Sequence, residues 1–275
     1  HNIDFHAGFG TFIDKNTIVV NETSITADTF IIATGSKPKT LPNLNADHSK
    51  VVYAKDIFQM SSIPKSMTII TLIEAEENIL PHEDKEVSQW VEKVFKKKKI
   101  NILTGTLADK IDDEKILISV GVEGNSQGMG LEEIGINFSA NNHIAVDRNG
   151  KTNIDNIYAV GDVIGAPWLA HVSAAEGLYA VEHLCGLNID YNSVPACTYS
   201  KPEVASIGST EQQLIDSAID FKVAKSFFIA NGKAVAVGAT DGFIKMLVGK
   251  EGNILGAHIV GSNATEMISE LSVIK

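Results

Sequence analysis

The rhythm of apolar and polar positions changes several times along this chain, and each change marks an element. The opening third reads as β-structure. Residues 5–13, 17–20 and 24–26 are short runs separated by turn residues such as Asp14-Lys15-Asn16. Residues 29–35 form a short apolar strand ending in Gly35, where a glycine permits positive φ or close approach of another group to the backbone. Pro38, Pro42 and Pro64 punctuate a linker-like stretch, and residues 67–73 are a second apolar run ended by Glu74.

Residues 84–99 carry the clearest helical signal. Val87, Trp90, Val91, Val94 and Phe95 recur at i, i+3, i+4, i+7 and i+8. Lysines 96–99 fall at its C-terminal end, where cations complement the helix dipole. That explains the run better than a nucleic-acid patch does. Residues 116–120 predict another buried strand, ending at Gly121. Residues 157–160 predict a short strand running into Gly161-Asp162, then a helix over 170–185 with Gly186 as its C-cap.

The stretch 191–275 has its own character. A capping box of Thr210 and Gln213 starts a helix. Residues 221–228, 234–237, 243–248 and 254–259 read as strands. Turn chemistry at Asn231-Gly232, Asp241-Gly242 and Glu251-Gly252-Asn253 predicts an antiparallel sheet. A last helix starts near Asn263. The whole stretch reads as a separate α+β domain.

Composition narrows the function classes. Hydrophobic residues make up 44% of the 275 and charged ones 21%, ordinary for a globular protein and unlike a disordered or fibrous one. The net charge of −11 disfavours a broad nucleic-acid or anionic-membrane surface. No apolar run approaches the roughly 20 residues that a membrane-spanning helix needs. Two cysteines make no disulfide framework and predict a reducing, intracellular setting. The chain opens on His1 without Met and reads as cut.

Candidate chemistry centres on the strand that ends in Gly161-Asp162. A carboxylate at a strand's C-terminal end, next to a helix N-terminus, suits recognition of sugar or ribityl hydroxyls, and open α/β sheets place ligands at that edge. By itself Gly161-Asp162 reads better as a turn with an Asx cap. The longer string from Thr152 to Asp162 and the upstream Ala33-Thr34-Gly35 add specificity. Further strings follow in order: Glu74 with Ile79-Leu80-Pro81, residues 130–135, Leu169-Ala170-His171 with Glu176-Gly177, residues 199–208, and residues 258–261. The ordered series resembles the flavoprotein pyridine nucleotide–disulfide oxidoreductases over nearly the whole chain, closest to the branch that oxidises protein-bound dihydrolipoamide.

The resemblance implies α/β architecture: FAD- and NAD-binding doubly wound, Rossmann-like domains plus a C-terminal α+β interface domain. It assigns residues 1–66 and 146–190 to a partial FAD-binding domain, 67–145 to a partial NAD-binding domain and 191–275 to the interface or dimerisation domain. It implies that Asp162, with Gly161, holds the ribityl chain of FAD, and that Ala33, Thr34 and Gly35 approach its adenosine side. Leu169, Ala170 and His171 would set a helix N-terminus against the flavin pyrimidine, where reduced flavin gathers negative charge. His171 acts there mostly through its backbone, or is a structural histidine. Glu74 would accept hydrogen bonds from the adenosine ribose of NAD and repel the extra phosphate of NADP. Gly121 would lie near the nicotinamide side, although a strand-ending turn accounts for it equally. The implied partners are a second copy of the chain (a homodimer), lipoyl domains and the other components of a 2-oxoacid dehydrogenase complex. The implied setting is the cytoplasm, or the mitochondrial matrix in a eukaryote. No metal site is expected, and Glu266 is given no catalytic role.

Some family elements have no match. Cys185 and Cys197 lie 12 positions apart, not in the family's C-x4-C redox motif, and read as ordinary buried thiols. Gly8-Phe9-Gly10 and Gly128-Met129-Gly130 lack the third glycine of G-x-G-x-x-G. The family's catalytic His–Glu pair has no counterpart, so no catalytic residue is assigned. Residues 67–74 read as one strand but match two parallel strands of the family, which need a crossover of roughly a dozen residues between them. Residues near Ile111-Asp112 are similarly short. The sequence therefore reads as joined pieces of a longer polypeptide. Within the resemblance, glutathione or mercuric reductase is the rival enzyme, and a catalytically dead interface or assembly module the rival class.

Overall fold

A computed structural model describes residues 3–41, 46–47, 50–59, 71–107, 116–187 and 194–274. The suspected join near Ile111-Asp112 and the linker prolines Pro42 and Pro64 lie outside those residues, as does Ile70 at the other suspected join, Ile70-Thr71. The chain divides into two compact units, 1–59 with 114–190 and 60–113 with 191–275. Residues 114–145, grouped by the resemblance with the NAD-binding piece, thus pack in the first unit. Residues 71–107 pack with the interface stretch.

In the first unit, three antiparallel strands, Gly10–Asp14, Thr17–Val20 and Thr23–Thr26, form a meander. The predicted strand at 29–35 is shorter, Phe30–Ile32, and runs parallel to Ile157–Ala159 with Phe30 opposite Ile157 and Ile32 opposite Ala159. A second parallel pair joins Val51–Tyr53 to Ile116–Ile118. The core gathers Phe12, Ile32, Met129, Leu131, Ile144, Ile157, Ala159 and Val163. Gly130 is what lets the 128–131 segment reach it. A Cβ there would stand 2.2 Å from the carbonyl oxygen of Phe12, and φ is +73°, a region that L side chains rarely adopt.

In the second unit, five antiparallel strands take the order Ala196–Thr198, Glu203–Gly208, Ile254–Gly261, Gly242–Gly249 and Phe221–Phe227. Side chains alternate between the two faces. Ala205, Ile207, Ala257 and Ile259 share one face with Ala264 and Ile268 of the terminal helix Ala264–Ile274. Val204, Phe243 and Val260 face the other way and meet Val87 and Val91 of the helix Lys85–Lys97. That helix follows the predicted stripe. Val87 and Val91 are 0% and 1% exposed, and burial of this kind contributes about 1.5–3 kcal/mol per side chain. Asp84 caps it by accepting the Glu86 N–H at 3.1 Å. The run at 96–99 closes the helix, and Lys96 pairs with Glu92 one turn back.

One predicted strand is a helix. Residues 234–237 fall largely in the short helix Gly232–Ala236, capped by Asn231, whose side chain accepts the Ala234 N–H at 3.1 Å. Asn231-Gly232 therefore starts a helix and is not a hairpin turn. The capping box of Thr210 and Gln213 forms, and so does the αL turn at Gly186. Cys197 is buried, but Cys185 is exposed and not the buried thiol expected.

Buried charge marks the helix-covered face of the sheet. Lys245 is fully buried and pairs with both oxygens of Asp84, at 2.9 and 3.0 Å, and with Glu86 and Glu211. His258, opposite Lys245 across the strands, is also buried, with Nε2 3.0 Å from the carbonyl oxygen of Ser209. A carbonyl only accepts, so Nε2 carries the hydrogen. Burial holds the His258 imidazole below its ordinary pKa, outweighing the pull of Asp84. No described helix is long and apolar enough to cross a membrane.

Candidate functional site

The parallel pairing of Phe30–Ile32 with Ile157–Ala159 brings two distant strings to one edge. Ala33-Thr34-Gly35 leaves the carboxyl end of the first strand, and Gly161-Asp162 leaves that of the second, with the Val160 N–H donating to the Ile32 carbonyl at 3.0 Å. The Ser36 hydroxyl donates to Asp162 Oδ2 at 2.9 Å, so the two loops are tied through the candidate carboxylate itself. Asp162 also opens a short 3-10 turn, Gly161–Ile164, and accepts the Gly165 N–H on its carbonyl at 3.3 Å. It is thus both a turn residue and half-exposed at the strand edge.

Gly161 adopts φ +77° and turns its N–H to Glu176 Oε2 at 2.7 Å. Burial raises the Glu176 pKa above the ordinary carboxylate value and the charge of Asp162 adds to the rise, while the Gly161 N–H opposes it. Leu169 stands at the N-cap of the helix Ala170–Leu184 without a side-chain cap hydrogen bond. The positive end of the helix dipole lies at this turn and favours an anionic edge beside it. Ala170 and His171 are exposed on that turn.

A cleft of about 540 Å³ adjoins the first loop, lined by Gly8, Phe9, Gly10, Thr34, Lys37, Asn125, Gln127 and Met129. Thr34 Oγ1 donates to the Asn125 carbonyl at 2.7 Å, and Asn125 Nδ2 donates to the Thr34 carbonyl at 3.1 Å. Lys37 bridges Gln127 at 3.0 Å and Glu123 at 3.2 Å. Sequence reasoning did not find Ser36, Lys37, Asn125 or Gln127, because each is a single polar residue without a local pattern. Their only signal is proximity to Thr34-Gly35 or to the turn-rich stretch 125–130. The incomplete Gly8-Phe9-Gly10 and Gly128-Met129-Gly130 strings contribute to this cleft through Gly8, Gly10 and Met129.

Glu74 stands in the other unit. It follows the strand Thr71–Ile73, which runs parallel to Asn101–Leu103 with the Lys85–Lys97 helix as crossover. Its N–H donates to the Leu103 carbonyl at 2.8 Å, and its Oε1 accepts the Glu76 N–H at 3.0 Å. The side chain is half-buried at the carboxyl edge of a βαβ unit, where such sheets bind ligands. Gly121, by contrast, belongs to the first unit. Its carbonyl accepts the Lys39 N–H at 3.1 Å, just before the strand Val122–Gly124, which pairs with Ser36–Pro38. It adjoins the flavin-candidate loops in its own unit, at a strand-ending turn.

Comparisons with known proteins give the family. The family signature described as pyridine nucleotide-disulphide oxidoreductase matches residues 65–177, and that family's dimerisation domain matches 194–275. A dihydrolipoyl dehydrogenase of Zymomonas mobilis is 33% identical over 324 positions, covering 99% of this chain and 69% of its own length. The chain belongs to the pyridine nucleotide-disulphide oxidoreductase family. A dihydrolipoyl dehydrogenase of Bacillus subtilis is 38% identical over 291 positions, 89% of this chain and 61% of that protein. This chain therefore spans about 61–69% of the length of these curated relatives. The Zymomonas alignment needs 324 positions for 275 residues, so at least 324 − 275 = 49 positions face no residue here. The HOCl-induced flavoprotein disulfide reductase RclA of Escherichia coli has the same fold, with a TM-score of 0.84 over 97% of this chain and 71% of its own, at 20% identity.

The residues present fit a flavin. A half-exposed carboxylate, small-residue loops at two adjacent strand ends and the positive end of a helix are the chemistry that a polyhydroxyl chain and an anionic ring edge require.

Proposed function

We propose that these residues form the greater part of a dihydrolipoyl dehydrogenase, which oxidises protein-bound dihydrolipoamide and reduces NAD+. The reading rests most on one observation. Two strings 126 positions apart, Ser36 beside Gly35 and Asp162 beside Gly161, are joined by a hydrogen bond at the carboxyl edge of two parallel strands. In this reading Asp162 and Gly161 hold the ribityl chain of FAD. Ala33, Thr34 and Gly35 pass its adenosine side, and the first turn from Leu169 to His171 faces the pyrimidine. When bound, FAD supplies two-electron transfer between a thiol pair and a nicotinamide.

The protein's own residues orient and exclude. Ser36 fixes the Asp162 carboxylate so that it faces ligand hydroxyls in one rotamer. The first-turn N–H groups of the Ala170–Leu184 helix favour negative charge beside them. Glu74 accepts the ribose hydroxyls of NAD and repels a 2′-phosphate. The balanced reaction is dihydrolipoamide plus NAD+ giving lipoamide, NADH and one proton. The thiol pair it requires is not Cys185 with Cys197, whose spacing of 12 positions is not that of a C-x4-C motif, so in this reading the activity belongs to the longer protein. That protein would be a homodimer through residues 191–275, taking lipoyl domains of a 2-oxoacid dehydrogenase complex as substrate in a cytoplasmic or matrix setting.

Two measurements bear on this reading. Asp162→Ala removes a charged acceptor worth about 1.5–3 kcal/mol, so the purified variant should retain FAD roughly 10–100-fold more weakly. Retention equal to wild type in an equilibrium dialysis assay would remove Asp162 from the site. Glu74→Ala should raise the KM for NAD+ by about tenfold and narrow the preference over NADP+. An unchanged NAD+/NADP+ ratio would take the nucleotide away from Glu74.

A further inference from the structure

Lys245 lies on the interface sheet and touches none of the candidate ligand-binding residues, yet its contacts lead toward Glu74. Its ammonium is buried and holds both oxygens of Asp84, at 2.9 and 3.0 Å, with Glu86 at 3.4 Å and Glu211 at 2.5 Å completing the shell. Asp84 in turn accepts the N–H groups of Glu86 at 3.1 Å and Glu211 at 3.3 Å. One turn into the helix, the Ser88 N–H donates to the Asp84 carbonyl at 3.1 Å, and the Ser88 hydroxyl donates to the Ile79 carbonyl. Ile79 is buried with Val87, Val91 and Phe243, and Leu72 of the strand ending at Glu74 packs against the same cluster. The segment from Glu74 to Ile79 is therefore pinned at both ends, by the strand pair at Glu74 and by the Asp84–Ser88 turn at Ile79. Lys245 is the buried cation that neutralises that turn.

We infer that Lys245 is a positioning residue for the pyridine nucleotide, holding the 74–79 segment in register by anchoring Asp84 from the interface sheet. This rests on Glu74 being the ribose acceptor proposed above. A sheet otherwise concerned with subunit association would thereby contribute to nucleotide affinity without touching the nucleotide. A compact cation with three donors suits this role, because it meets carboxylates from three directions. Removing it leaves Asp84, Glu86 and Glu211 facing one another.

The test is steady-state kinetics of the full-length holoenzyme carrying Lys245→Met, Lys245→Arg or Glu74→Ala. Small displacements far from the reacting atoms change rates by up to about a hundredfold, and a tenfold rise in the KM for NAD+ is expected for Lys245→Met. Its kcat and its KM for dihydrolipoamide should stay within about twofold, and Lys245→Arg, which keeps the charge but not the compact shape, should recover part of the affinity. A generally loosened fold would instead lower kcat and raise both KM values together, which would overturn the inference. Should Lys245→Met fail to fold, Glu211→Gln is the milder variant, with an expected rise of about threefold in the NAD+ KM alone. An unchanged KM there overturns the inference as well. If Glu74→Ala raises the KM and Lys245→Met does not, only the role of Lys245 falls. If Glu74→Ala leaves it unchanged, the nucleotide reading falls first and the inference with it.

Discussion

Replacing Gly130 by alanine should lower the melting temperature of the protein by roughly 6–20 °C, the counterpart of about 3–5 kcal/mol. The new Cβ would lie 2.2 Å from the Phe12 carbonyl oxygen and 3.4 Å from its nitrogen. Phe12 cannot retreat. It is 6% exposed, part of the core with Leu131 and Ile157, and its N–H is held by the Met129 carbonyl at 2.8 Å. Relief must break that hydrogen bond or open the core, in addition to the left-handed backbone at φ +73°. Gly135→Ala separates the two contributions, since φ is +83° there and nothing lies within 4 Å of the added carbon. It should cost only the backbone share, about 1–2 kcal/mol. Equal melting temperatures for the two variants would contradict the close approach at Phe12. Because Met129 and Thr34 line the same cleft, Gly130→Ala should also weaken flavin retention, which the bound absorbance reports directly.

Asp84→Ala should be comparably severe, about 3–5 kcal/mol by chemical denaturation. It removes the helix cap and strips a fully buried ammonium of the one carboxylate that it holds through both oxygens. The double variant Asp84→Ala with Lys245→Met should cost less than the sum of the singles, because the second change removes the stranded charge. Strict additivity would show that the pair does not interact. The sign with pH follows from the same contacts. Burial by itself would raise the Asp84 pKa, but the hydrogen bond and charge of Lys245 prevail and hold it below the ordinary carboxylate range. A carboxyl depressed in the folded state contributes its stability above its unfolded pKa and loses it as pH falls through the folded value. The stability gap between wild type and Asp84→Ala should therefore be full at neutral pH and close in strong acid.

Much of this molecule is legible in its sequence where one local pattern decides the outcome. The stripe from Val87 to Phe95 gives the helix because those side chains meet one sheet face. Thr210 with Gln213 gives a helix start for reasons confined to four residues. Ala234-Val235-Ala236-Val237 misleads, because its composition suits a strand while the Asn231 side chain, three residues earlier, caps a helical turn. Lys245 is the one charged residue in the apolar run from Phe243 to Val248, yet it is buried on the face that the Lys85–Lys97 helix covers, which no local pattern announces. At the candidate site, Ala33-Thr34-Gly35 and Gly161-Asp162 were legible because each ends an apolar strand in small or acidic residues. Ser36 and Asn125 were not, since their roles depend on partners 126 and 91 positions away. Gly121 illustrates the converse. Its place in the order of motifs grouped it with Glu74, while its backbone pairs with Lys39 in the other unit.

The most direct test of the account is to purify the full-length protein and follow NADH formation from dihydrolipoamide. A flavin-coloured protein that reduces NAD+ with dihydrolipoamide, and NADP+ far more slowly, is the expected result. A colourless protein, or one active only with NADP+, would contradict it.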